Sequence, residues 1–142
     1  MSEAQSDVPE PGPIDLERNP VHLGLGATAE VQPVFDGTMD WYMRYGQAHA
    51  SDGAEGRLVA VHTFTEDWST WEMHPKGAEL VYVVEGALTL IQEDAEGERV
   101  EHELRAGQAA INPPGVWHTA RVAERATALF ITAGEGTQNE VR

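Results

Sequence analysis

The sequence predicts an all-β fold, a closed antiparallel barrel or a double-sheet jelly roll. Three observations point there: a succession of short β-rich runs, Gly and Pro punctuation between them, and no helical periodicity sustained over the roughly ten residues a helix needs. The 142 residues suffice for one compact domain and are too few for two ordinary ones. The expected organisation is an acidic, Pro-rich tail or arm over residues 1–22, one domain over 23–133 and a frayed polar tail over 134–142. In the first of these, Pro9, Pro11, Pro13 and Pro20 stand among acidic side chains with little apolar surface to bury.

The elements follow in order. Residues 38–45 alternate, with Met39, Trp41, Met43 and Tyr45 on one face and Thr38, Asp40, Tyr42 and Arg44 on the other, which predicts a half-buried strand. Residues 57–65, 70–74, 79–84 and 87–93 are β-rich runs. Residues 94–98, with Gly97, read as a hairpin turn that returns through 99–104. Runs at 109–112, 117–122 and 127–132 complete the set.

Composition excludes several function classes. There is no cysteine, so disulfides and thiolate zinc sites are ruled out, and a metal must be held by imidazole and oxygen donors. A formal charge of -15, from 24 acidic against 9 basic residues, repels a phosphate backbone and argues against nucleic-acid and anionic-membrane partners. The longest apolar run, residues 80–84, falls far short of the roughly 18–20 residues that span a bilayer. The N-terminus has neither the basic start nor the apolar run of a secretory signal, so a cytoplasmic protein is expected.

Two stretches carry chemistry. Glu72 and His74 lie two apart in a predicted strand and project to one face, while Trp71 and Met73 point the other way. Pro75 interrupts the strand, Gly77 permits a turn, and Glu79 opens the next strand near where His74 ended. In the second stretch Gly107 turns the chain, Pro113, Pro114 and Gly115 shape a rigid bend, and His118 enters a strand just beyond it. Two carboxylates and two imidazoles thus come to strand ends, where a β-barrel assembles a coordination shell.

These residues resemble the two motifs of the cupin superfamily, small jelly-roll barrels. The first family motif, G-x5-H-x-H-x3,4-E-x6-G, is matched from its second histidine onward as His74, four residues, Glu79, six residues and Gly86. The second, G-x5-P-x-G-x2-H-x3-N, is matched as Gly107, five residues, Pro113, Pro114, Gly115, two residues and His118, with 20 residues between the motifs. Glu72 replaces the first histidine of motif one and Val122 the last asparagine of motif two. The resemblance spans about residues 58–132.

Carried over, the resemblance implies a metal held by Glu72, His74, Glu79 and His118. Such a nitrogen and oxygen shell suits Fe(II), Mn(II), Zn(II) or Ni(II). In an alternative arrangement His74, Glu79 and His118 form a two-histidine, one-carboxylate face and Glu72 serves as general acid or base. The expected function is a metal-binding cupin acting on a small polar organic molecule by oxygenase or isomerase chemistry. A non-enzymatic cupin that binds a sugar or other small molecule, and a metal-free epimerase-like cupin, are the alternatives. The resemblance also implies a homodimer.

Other residues are read more plainly. His62 is a core or pocket residue, and His22, His49 and His102 are expected at the surface. Lys76 is a loop lysine near the mouth, Trp71 and Trp117 point away from the site, and Val81, Val83 and Ile111 are expected to restrict solvent.

Overall fold

All strand pairing is antiparallel in the computed structural model, which describes residues 8–142. In chain order the elements are β1 (Val21–Gly24), β2 (Thr28–Val31), α1 (Met39–Ala48), β3 (Arg57–Phe64), β4 (Thr70–Met73) and β5 (Glu79–Glu93). Then come β6 (Arg99–Arg105), β7 (Ala109–Asn112), β8 (Trp117–Arg121), β9 (Ala126–Thr132) and β10 (Gln138–Val141). Short 3-10 turns occupy Leu25–Ala27 and Ala50–Glu55. The strands run in the order β10-β4-β8-β5-β9-β3-β1-β2, with β6 and β7 also paired to β5. This is the jelly-roll architecture that the strand pattern predicts.

Strand β5 organises the barrel because it belongs to both sheets. Its first half pairs with β7 and β9, and from Ala87 onward it pairs with β6 and β8. The changeover falls at Gly86, just after a register shift between Val83 and Glu85. Gly86 has φ +77°, and a Cβ there would lie 2.1 Å from the Arg125 carbonyl oxygen, so the crossing requires glycine on both counts. Alternation sends Val81 and Val83 inward before the crossing and Leu88 and Leu90 after it. They pack with Leu104, Ala120, Val122, Ala126, Ala128 and Phe130, each large side chain contributing roughly 1.5–3 kcal/mol by burial. Glu79 heads the same inward row as Val81 and Val83, which places a carboxylate on an apolar floor.

Three expectations are corrected. Residues 38–45 are not a strand: they form most of helix α1. Thr38 caps it, its Oγ1 accepting from the Trp41 N–H at 3.2 Å, and such a cap contributes about 1 kcal/mol. The helix turns Trp41 and Tyr45 inward, Trp41 donating from Nε1 to the Pro33 carbonyl, while Met39 and Met43 are exposed. Alternating apolar residues satisfied a period of two by coincidence.

The C-terminal segment is not frayed throughout, because Gln138–Val141 pairs with β4 as β10. Its side chains are all exposed and three of the four are polar, so backbone pairing holds it. The domain also starts slightly earlier than expected. Asn19 and Pro20 are buried and β1 begins at Val21, whereas Glu17 reaches the barrel by accepting from Thr63 at 3.1 Å. The start of the expected acidic tail, residues 1–7, lies outside the described residues.

Candidate metal centre

Strands β4, β5 and β8 bring the four sequence-predicted donors to one place. Glu72 on β4 pairs in register with His118 on β8, and Glu79 opens β5 after the turn that begins at His74. The Glu79 carboxylate lies between the two imidazoles, Oε2 at 3.3 Å from His74 Nε2 and Oε1 at 3.2 Å from His118 Nε2. Glu72 Oε2 stands 3.8 Å from His118 Nε2. His74, Glu79 and His118 are buried, whereas the Glu72 side chain is 34% exposed and marks the open side.

The second nitrogen of each histidine fixes its tautomer. Thr137 donates its hydroxyl proton to the Gly134 carbonyl, so its oxygen accepts from His74 Nδ1–H at 2.8 Å. His118 Nδ1 faces the Val116 carbonyl at 3.4 Å, and a carbonyl only accepts. Both Nε2 atoms therefore carry lone pairs toward the site. Neither has a hydrogen-bond partner among the described residues, although each lies close to Glu79. Two buried lone pairs facing a buried carboxylate form an electron-rich cage that a cation would satisfy.

Residues that sequence reasoning missed hold this arrangement in place. Glu79 Oε1 accepts from Asn112 Nδ2 at 3.0 Å and Oε2 from Thr132 Oγ1 at 2.5 Å, which fixes the carboxylate from β7 and β9. Thr137 orients His74 from the segment expected to fray. Ile111, expected to shield the site, is exposed, because alternation on β7 turns Asn112 inward in its place. No local pattern announces these polar supports.

Crowding shifts the proton affinities of these groups. Burial pushes the Glu79 carboxyl up, but His118 and His74 outweigh it and hold the group well below the carboxylate range. Burial and the Glu79 charge push Glu72 up, against His118 and His74. Burial lowers His74, yet Glu79 and then Glu72 more than offset it, and the imidazole rises above its ordinary value. Tyr42 of α1 is pushed up to about 12, by burial and then by the charges of Glu72 and Glu79. Burial keeps His62 below its ordinary value, and its ring lies 5.0 Å from Phe35 and 5.7 Å from Phe130. Lys76 is exposed and 3.7 Å from Glu135.

A second group meets a distance criterion for a metal but not a directional one. His22, His49 and Asp52 bring donor atoms within 4.8 Å of one another. Contrary to expectation His22 is buried, its ring admitted by the missing side chains of Gly24 and Gly56, at each of which a Cβ would crowd it or Asp52. His22 Nε2 meets Asp52 Oδ2 at 2.6 Å and Nδ1 meets the Tyr45 hydroxyl at 2.6 Å, so both nitrogens are used. The His22 and His49 rings stack at 3.7 Å and 21°. Imidazole lone pairs lie in the ring plane, and nearly parallel planes do not converge on one ion. His49, expected at the surface, is part-buried and contacts Gln32 Oε1 at 3.0 Å, and His102 is part-buried against Gln92 at 3.1 Å.

A family model described as Cupin domain matches residues 61–134. No curated protein matches the chain. Among solved structures, an oxalate oxidase in complex with glycolate is similar at 16% identity and a TM-score of 0.51, over 60% of this chain and 45% of that one. Another oxalate oxidase structure gives 19% and 0.50, over 57% and 44%. A cupin-2 domain containing protein from Shewanella frigidimarina gives 22% and 0.46, over 54% and 69%. The chain spans less than half the length of the two oxalate oxidase chains, and at these identities the likeness concerns the fold. With both motifs in order on a jelly-roll barrel and more than half of the chain matched, the protein belongs to the cupin family.

Proposed function

We propose that the chain is a metal-binding cupin acting on a small polar organic molecule, with oxygenase or isomerase chemistry. The observation that carries this reading is the pair of unpartnered Nε2 lone pairs aimed at one buried carboxylate. His74, Glu79 and His118 would hold a divalent transition ion, and their nitrogen and oxygen donors fit Fe(II), Mn(II), Zn(II) or Ni(II). When bound, such an ion supplies Lewis acidity toward a carbonyl or redox capacity toward dioxygen.

The chain's own residues supply the rest. Thr137, Asn112 and Thr132 keep the donors in one orientation before anything binds. Glu72 is the exposed member, and its raised affinity for a proton suits it to carry one at Oε2 beside the substrate, or to close the shell as a fourth donor. Phe130, Phe64 and Trp68 exclude water from the inner side. A homodimer belongs to the same proposal, Met39 and Met43 offering an exposed apolar edge on α1.

One observation favours a second reading. His74 binds a proton more readily than an ordinary imidazole, so a proton shared with Glu79 answers the same electrostatic demand in a metal-free, epimerase-like cupin. Elemental analysis of protein purified without chelator separates the two. Near-stoichiometric transition metal that disappears in Glu79→Ala supports the metal reading, whereas no bound ion and no uptake on reconstitution refutes it.

A further inference from the structure

Two rows of apolar side chains cross the outer face of the sheet formed by β7, β5, β9, β3, β1 and β2. In register the first row is Ile111, Leu80, Ile131, Val59, Val21 and Val31. The row beside it is Ala109, Tyr82, Leu129 and Val61. All point away from the buried Val81, Val83 and Phe130, and each is half-buried or exposed, Ile111 at 60%. An antiparallel sheet with one solvated face alternates apolar with polar residues, so strands that are apolar on both faces are built to be covered on both. The other sheet follows the solvated pattern, its outer side carrying the Arg121–Glu101 and Arg105–Glu103 pairs.

Charge narrows what covers this face. Neither row holds a charged side chain, in a chain of 24 acidic and 9 basic residues with a formal charge of -15. A basic partner would be drawn to the acidic surfaces instead, and two copies of so acidic a chain repel each other least across an uncharged one. Opposite charges also bound the face along β3. Arg57 precedes Val59, and beyond Val61 stands Thr63, whose hydroxyl donates to Glu17 at 3.1 Å. From Arg57 to Thr63 the face measures about 20 Å, and across its six strands about 24 Å. That footprint, roughly 500 Å² in projection, suits aligned sheet-on-sheet packing and, with side-chain relief, nears the roughly 800 Å² that each partner buries in a standard interface.

We propose that this face is the contact between two copies of the chain, packed sheet to sheet about a twofold axis that lies along the rows. The axis crosses β3 at Ala60, which sets Val59 over the partner's Val61 and Arg57 over the partner's Glu17. Apolar rows then meet apolar rows, and the flanking charges meet their opposites. The proposal rests on the homodimer of the preceding reading and moves its contact from α1 to this sheet.

Sedimentation of the full-length protein at micromolar concentration is expected to give twice the 15.5 kDa chain mass. Val59→Glu sets like charges together across the axis and is expected to weaken the dimer roughly a hundredfold or more, whereas Met39→Glu with Met43→Glu leaves it intact. If Val59→Glu does not fold, a soluble nitroxide added to the wild-type protein decides. The methyl resonances of Val59, Leu80 and Ile131 are then expected to keep their intensity while those of Met39 and Met43 fade. The chain has no cysteine, so in a mixture of Arg57→Cys and Thr63→Cys proteins a short bismaleimide is expected to join unlike copies. A monomeric wild type, face methyls that fade, a dimer that survives Val59→Glu or is lost in the α1 variant, or adducts only between like copies would each overturn the proposal. A monomer that still binds a transition ion leaves the metal reading standing, and a dimer that binds none refutes that reading alone.

Discussion

The barrel holds two histidine clusters that look alike by residue type and differ in where their lone pairs go. Around His22 every ring nitrogen is occupied, by Tyr45 and Asp52, and the neighbouring His49 ring lies flat against it. Around Glu79 two imidazoles present nitrogens that have no hydrogen-bond partner among the described residues, their other sides tied to Thr137 and the Val116 carbonyl. Nearness of donors is common to both. Direction and dissatisfaction belong to one, which makes it the candidate binding site, while the other joins β1 to the α1 region.

The largest expected effect comes from removing the shared carboxylate. Glu79→Ala should abolish metal uptake measured by calorimetry, while Asp52→Ala should leave its stoichiometry at the wild-type value. Next is stability: His22→Ala removes a buried ring with two hydrogen bonds and should cost about 2–4 kcal/mol in denaturant unfolding, with metal uptake retained. Loss of metal in His22→Ala with the fold intact would erase the distinction between the clusters.

An intermediate effect tests the tautomer. Thr137→Val keeps the side-chain shape but removes the acceptor on His74 Nδ1, and metal affinity should fall roughly 10- to 100-fold. Unchanged affinity would mean that the hydroxyl does not orient the ring.

The smallest effects are in pH dependence, where the two clusters have opposite signs. The His74 value is raised, so in metal-free protein its contribution to stability is present below the ordinary 6.5 and is lost as pH rises through the folded value. Burial and then the His22 charge lower His49, so its contribution is present above 6.5 and is lost as pH falls toward its folded value. Melting temperature against pH should lose its alkaline decline in His74→Gln and its acid decline in His49→Gln. Protons also compete for His74 and Glu72, so metal affinity should weaken on acidification.

Legibility from sequence divides along similar lines. Strands β3 to β9 and the convergence of Glu72, His74, Glu79 and His118 were readable because alternation, Gly and Pro punctuation and motif spacing are local signals. Helix α1 was misread since Met39, Trp41, Met43 and Tyr45 alternate as a strand would, while its true signal was the Thr38 cap and the four-residue spacing of Trp41 and Tyr45. Strand β10 and Thr137 were invisible because backbone pairing to β4 and one hydroxyl contact leave no apolar pattern. The burial of His22 depends on Gly24 and Gly56 meeting from different strands and turns, a tertiary fact without local trace.

An anomalous-scattering map of crystals grown from chelator-free protein decides between the clusters in one step. The account predicts a single strong peak roughly 2.0–2.2 Å from Nε2 of both His74 and His118 and beside Glu79. A peak at His22 and Asp52 instead, or none at either place after soaking with transition ions, would contradict it.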